Sequence, residues 1–245
     1  GLALGNGKLY VAEGINGVEV LRADPDHFAR LFRFTSAQLG ISSALQVAAV
    51  GDKLYVGAQP NNILVLDMSQ AAPLASIRRL TVPVEVNRIA AVGNEGLLVY
   101  KLGGNTLVLL DLRNLQAPPV VTNVGTALDA FNFVYGHQFS ISASRRQLVS
   151  SVIVPDALNQ PLRLGPMQTM DVGSSWVVLS STRAYARIET LRKYDLSDPE
   201  NVYQMDSVFI GASNAGEGPL FLFDPDGSGG PEPDYLFTGF NSAGW

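Results

Sequence analysis

Gly7-Lys8-Leu9-Tyr10-Val11, Asp52-Lys53-Leu54-Tyr55-Val56 and Gly96-Leu97-Leu98-Val99-Tyr100 are three versions of one phrase, a turn followed by a short apolar run. Val11 and Val56 lie 45 residues apart, and Val56 and Val99 lie 43 apart. A second phrase follows each first one. Val18-Glu19-Val20-Leu21 is echoed by Ile63-Leu64-Val65-Leu66-Asp67, Leu107-Val108-Leu109-Leu110-Asp111 and Leu191-Arg192-Lys193-Tyr194-Asp195. Asp67 to Asp111 is 44 residues, and Asp111 to Asp195 is 84, two steps of 42. The turn glycines Gly5, Gly51, Gly93, Gly136 and Gly173 keep the same beat, stepping by 46, 42, 43 and 37. Gly, Asn and Asp supply the positive φ of tight hairpins, so each of these turns joins a first strand to a second.

The rest of the unit is equally regular. Glu13-Gly14-Ile15-Asn16-Gly17, Gln59-Pro60-Asn61-Asn62 and Leu102-Gly103-Gly104-Asn105 separate second from third strands. Pro73, Pro118 and Pro161, spaced 45 and 43, mark the turn into a fourth strand, where a missing N–H breaks no ladder. In the fifth unit Met170-Asp171-Val172 reads as the first strand, Gly173-Ser174-Ser175 as its turn, and Ser180 to Glu189 as a longer second-to-third connection. In the fourth unit Pro155 stands at the aspartate position. Helical periodicity is absent over any useful length, and Pro25 to Arg33 makes at most one or two turns. A period of this size filled with short strands predicts an all-β protein, a β-propeller of four-stranded blades. One domain over residues 1–245 is expected, with blades near 1–36, 44–82, 86–125, 128–166, 168–211 and 218–245, five full and half of a sixth.

Composition narrows the function classes. A hydrophobic share of 47% with 16% charged residues suits a large core and excludes a disordered chain. Net charge is −5 and the 17 Lys and Arg form no block, so no nucleic-acid partner is expected. No run of 18 apolar residues exists, so no membrane span is expected; the best candidate, Leu97 to Leu112, is broken by Lys101 and two glycines. The absence of cysteine removes thiol chemistry, disulfides and cysteine metal sites together.

The strand ending Leu64-Val65-Leu66-Asp67, and above all Tyr194-Asp195-Leu196-Ser197-Asp198-Pro199, resembles the LVIVD-repeat β-propellers. The likeness runs from Leu2 to about Gly211; it is clearest in the second, third and fifth units and partial in the first, where Arg22 occupies the aspartate position. The resemblance implies a propeller fold and an extracytoplasmic setting, meaning secreted, periplasmic or cell-surface. A second likeness falls on Asp224-Pro225-Asp226-Gly227-Ser228-Gly229-Gly230-Pro231-Glu232-Pro233-Asp234, which resembles the calcium loop of FG-GAP and VCBS repeats. Calcium takes six to eight hard oxygens at flexible geometry, and Gly227 and Gly229 let a backbone fold around an ion. The expected ligands are Asp224, Asp226, Ser228 and Asp234; Ser228 replaces a stronger acid, and the spacing to Asp234 is two residues longer than usual.

Other chemistry is thin. His27 falls in the turn after the third strand of the first unit and His137 in the tight turn of the fourth, where sister units carry polar turn residues. Neither is expected to sit with a nucleophile and a carboxylate as a catalytic group. The serine-rich stretch Ser140 to Ser151 lacks a nucleophile elbow. Arg183, Arg187, Arg192 and Lys193 read as a solvated outer edge. The expected function is a binding or structural module of a larger surface or secreted protein, with a protein partner or neighbouring subunit. The rival is a propeller hydrolase of the lactonase or esterase-like type, which needs acids or amides converging from the starts of several first strands; Glu85, Asn87 and Asp129 are the ones near such positions. Tyr235 to Trp245 matches Leu9 to Gly17, so two further strands of the sixth unit are expected from chain beyond Trp245 or from a neighbouring subunit.

Overall fold

The computed structural model describes residues 1–23, 27–135, 138–143, 147–154, 162–172, 176–179, 183–187, 190–209, 217–223 and 235–240. The chain divides into two compact units, Gly1–Asn123 with Ala157–Leu162, and Val124–Asp156 with Arg163–Trp245.

Three antiparallel four-stranded sheets make the first unit, each a meander in chain order. Sheet one is β1 (Leu2–Gly5), β2 (Lys8–Ala12), β3 (Val18–Ala23) and β4 (Phe28–Phe34). A one-turn helix, α1 (Ser36–Leu39), leads into sheet two: β5 (Ala44–Val50), β6 (Lys53–Ala58), β7 (Asn62–Asp67) and β8 (Arg78–Thr81). Sheet three is β9 (Arg88–Val92), β10 (Gly96–Tyr100), β11 (Thr106–Asp111) and β12 (Val120–Asn123). First strands lie side by side, β1 with β5 and β5 with β9. Sister turns also touch: the Asn6 amide donates to Gly51 O at 3.1 Å and to Asp52 Oδ1 at 2.7 Å.

Why the third strands read as unbroken apolar runs is visible in β7. Leu64 and Leu66 point to sheet one, packing with Tyr10, Val18, Val20 and Phe34. Ile63 and Val65 point the other way, packing with Leu97, Val99, Val108 and Leu110 of sheet three. A strand buried on both faces has no polar side, so period-two alternation vanishes from its sequence. Leu64, Leu66 and Ile63 are all fully buried, and each contributes roughly 1.5–3 kcal/mol by leaving water.

Of the segment 25–33, expected to make at most a helical turn or two, the residues from Phe28 onward are instead strand β4. The helical turn lies just beyond, capped by Thr35 and Gln38 in a reciprocal capping box and closed by Gly40 in the left-handed conformation. Gly17 closes the second hairpin of sheet one at φ +94, where a Cβ would meet Phe34 O at 2.1 Å. Only glycine fits that approach.

The second unit holds β13 (Leu128–Tyr135), β14 (Gln138–Ala143) and β15 (Gln147–Val154), followed by β16 (Arg163–Leu164) and β17 (Gln168–Asp171). Next come β18 (Trp176–Leu179), β19 (Arg183–Arg187), β20 (Thr190–Asp195) and β21 (Tyr203–Phe209), then the two-stranded pair β22 (Glu217–Phe223) and β23 (Tyr235–Phe240). The expected first strand of unit five is corrected here. Met170 and Asp171 belong to β17, which pairs with β15 as the outer row of sheet four. Val154↔Arg163 and Ile153↔Leu164 give way to Ser150↔Gln168, a shift of one residue, so β16 and β17 are one outer strand bent by a bulge at residues 165–167. Pro166 suits the bulge because it has no N–H to lose, and Ser151 Oγ donates into it, 3.1 Å from Gly165 O and 3.0 Å from Pro166 O. Sheet five accordingly starts at β18, and Arg183–Arg187, expected within a connection, is its second strand. Leu148, Val172, Ala184, Ala186 and Tyr194 form the core between sheets four and five.

Candidate functional site

The recurrent aspartate at the end of the third strand has one local task in three sheets. Asp67 Oδ1 accepts the Ser69 N–H at 3.1 Å, Asp111 Oδ1 the Arg113 N–H at 3.0 Å, and Asp195 Oδ1 the Ser197 N–H at 2.8 Å. Each bond spans two residues and fixes the turn toward the fourth strand as an Asx turn. A cation holds each carboxylate from a different place. Lys53 and Arg183 stand directly across from Asp67 and Asp195 on the second strand and ion-pair with them. Asp111 faces Gly96, which has no side chain, and Arg113 of the turn supplies the fork instead, at 3.0 and 2.8 Å. In sheet one the register places Arg22 opposite Lys8. The Lys53 ammonium and the Ser69 hydroxyl hold Asp67 well below the usual carboxylate range, and the Arg113 guanidinium lowers Asp111. Burial opposes ionisation of Asp195, but Ser197, Arg183 and Tyr203 outweigh it and the net shift is downward.

With the signature carboxylates engaged in their own turns, the concave surfaces lie between turns. Within the first unit, a cavity of about 550 Å³ opens between sheets two and three, lined among others by Lys53, Tyr55, Asp67, Arg78, Arg113 and Gln116. A second, of about 400 Å³, opens between sheets one and two, lined by Lys8, Phe32, Phe34, Met68, Pro73 and Leu74 among others. Both lie at the sheet ends that carry the third-to-fourth-strand turns, because a meander puts the first and third turns at one end and the second at the other.

Sequence reasoning missed these grooves, and it missed an ionic cluster in sheet one. Glu19 occupies the third-strand position that Leu64 and Val108 fill in the next two sheets. It is buried, bonded to Arg30 and to Arg33 at 2.9 Å, while Arg33 also reaches Glu13 at 2.8 Å. Arg30 and then Arg33 pull Glu19 down to about 2. The available signal was the acid itself, alone in an apolar run.

The expected site residues are placed as follows. Asp224, Asp226, Ser228, Asp234 and His137 lie outside the described residues. No group of three or more His, Cys, Asp or Glu stands close enough to hold a metal among the described residues. His27 is exposed at the start of β4. Glu85 and Asn87 are joined at 3.3 Å, and each fixes the second hairpin of sheet three: Asn87 Oδ1 accepts the Leu102 N–H at 3.1 Å and Glu85 pairs with Lys101 at 2.8 Å. Asp129 lies in β13. The arginines expected on a solvated edge are drawn inward: the Arg183 side chain is 14% exposed on its pair with Asp195, and Arg192 donates to Val172 O at 3.1 Å. No helix among the described residues is long and apolar enough to cross a membrane.

Sheets of four antiparallel strands repeated along the chain define a β-propeller, and the comparisons agree. No protein-family profile matches the chain, and no curated protein is similar to it in sequence. Solved structures are similar in fold alone. Hsv2 of Kluyveromyces lactis with a complete loop 6CD superposes with a TM-score of 0.60 at 11% identity, over 91% of this chain and 65% of Hsv2. The β-propeller domain of Cps50 (Swd1) from Myceliophteria thermophila gives 0.59 at 12% identity, over 89% of this chain and 74% of that one. BamB of Moraxella catarrhalis gives 0.52 at 13%, over 85% and 60%. The chain thus spans 65% of the length of the first of these neighbours. The fold is that of a β-propeller built from four-stranded blades.

Proposed function

We propose that this chain is a β-propeller binding module of a larger extracytoplasmic protein, contacting a protein partner through the grooves between its blades. One observation carries the reading. The same concave groove is built twice in the first unit, each time against a turn fixed by its own aspartate, Asp67 for the groove between sheets one and two and both Asp67 and Asp111 for the other, so the grooves are preformed. A binding surface that loses little freedom on contact retains more of its interaction energy. The LVIVD-like strand ends support the extracytoplasmic setting, and the loop at Asp224, Asp226, Ser228 and Asp234 has the composition to bind a structural calcium ion.

The test of partner contact is a photo-crosslinking amino acid placed at Gln116 or Ala71, on the lips of the two grooves, and at Asn105 on the opposite end of sheet three as control. In the cells that make the protein, discrete protein adducts are expected from the first two positions and not from the third. Adducts at neither groove refute the reading. Calorimetric titration of the folded chain with calcium tests the loop: one ion per chain is expected, lost in Asp226→Ala, and a folded chain that takes up none has no calcium site.

A further inference from the structure

The two grooves are copies of one another whose chemistry has diverged. Lys53 corresponds to Lys8, Leu112 to Met68, Asn114 to Gln70, and Gln116 to Ala72, at steps of 45 or 44 residues. The decisive pair is on the fourth strand. Phe32 faces Val20 in the register of sheet one, and Arg78 faces the equivalent Val65 in sheet two. One groove therefore presents Phe32 with Phe34, Met68, Pro73 and Leu74 beside Lys8 and Arg33, while the other presents three cations, Arg78 with Lys53 and Arg113. They flank the same Asp67–Ser76 segment of sheet two, so one ligand chain can touch both.

We propose that the groove between sheets two and three binds carboxylate side chains of an extended acidic segment in a protein partner, and that Arg78 is its principal anchor. The inference deepens the proposed function and rests on it. Three cations line this groove against one carboxylate, Asp67, in a chain whose net charge is −5. Lys53 and Arg113 are held in place by Asp67 and Asp111. The Arg78 side chain makes no hydrogen bond or ion pair among the described residues, and it is exposed at the groove while its charge reaches the Tyr55 hydroxyl. A guanidinium is weakly hydrated and its forked N–H donors match a carboxylate, so an unpaired one beside two fixed cations is a ready donor site for an acid. The groove holds more than a small inorganic anion, and its walls of Tyr55, Val65, Leu112 and Leu115 suit the aliphatic stems of glutamate. An apolar residue a few positions along the same segment would reach the Phe32 groove.

The probe is fluorescein-labelled hexaglutamate, titrated with the full 245-residue chain and read by fluorescence anisotropy, with labelled hexalysine as control. Binding of hexaglutamate alone is expected, weakening as salt rises. Arg78→Gln should weaken it at least fivefold and Arg78→Glu at least tenfold, with circular dichroism unchanged, while Lys101→Gln, which removes one charge at the opposite end of sheet three, leaves it within twofold. Inorganic phosphate at matched charge should compete poorly. No binding, equal binding by Arg78→Glu, or displacement by phosphate at matched charge (an adventitious ion only) overturns the inference. A Gln116 adduct that forms equally well in the Arg78→Glu chain leaves groove contact standing and removes the acidic partner.

Discussion

At Asp67, Asp111 and Asp195 a single side chain closes a turn, neutralises a cation and ends a strand. That concentration of roles makes them sensitive to protonation. All three carboxyls, and Glu19, titrate below their unfolded values of about 4. A depressed carboxyl contributes stability that is present above its unfolded pKa and is lost as pH falls through the folded one. The melting temperature is therefore expected to be level with respect to these groups from pH 7 to about 5, then to fall steadily below about 4. Scanning calorimetry between pH 7 and 2 checks this; a melting temperature that rises on acidification would refute the assignment. Asp195 separates the two parts of its role. Asp195→Asn keeps an oxygen for the Ser197 N–H and loses the charge facing Arg183, whereas Asp195→Ala loses both. The alanine variant should be the less stable, by about 1–3 kcal/mol relative to the native chain in urea unfolding, since it leaves buried donors unmet. The aspartates were legible in the sequence as a repeat; their cations were not, because Lys53 and Arg183 lie 14 and 12 residues earlier and meet them only through strand register.

Turn glycines were the most reliable guide at the level of elements, and one of them misled. Gly5, Gly51 and Gly93 close the first hairpins of sheets one to three. Gly173 kept the beat yet follows an outer strand, because the bulge at residues 165–167 lengthened the fourth strand of sheet four to Asp171. A bulge inserts a residue without leaving a periodic mark, so the error lay in the count and not in the chemistry. Glycines also divide by what surrounds them. Gly7 sits at φ +68 with nothing near its missing Cβ, while at Gly17 that Cβ would strike the backbone of residues 34–36. Gly7→Ala is expected to cost about 1–2 kcal/mol, the strain of the left-handed region alone. Gly17→Ala should cost about 4 kcal/mol or more, adding a backbone clash. Equilibrium urea unfolding of the two variants checks the order, and equal losses would mean that the second hairpin yields freely.

Packing between sheets decides stability for the molecule as a whole. Leu64 is fully buried where sheet two meets sheet one, so Leu64→Ala should cost about 2–5 kcal/mol and lower the unfolding midpoint in urea. A loss under 1 kcal/mol would show that the two faces can close over the gap. The sequence by itself determined the all-β class, the period near 44 residues, the strand-turn order and the aspartate at the end of the third strand, because these follow from local backbone preference and from which residues water excludes. It pointed to an acidic loop at residues 224–234 by composition alone. Only the tertiary structure decided which side chains face one another: Arg78 in the place of Phe32, Glu19 within a pair of arginines, and two grooves either side of one turn. The first two depend on strand register within a sheet, and the grooves on contacts between sheets some 45 residues apart in the chain, and one strand's sequence carries no mark of what its neighbour presents to it.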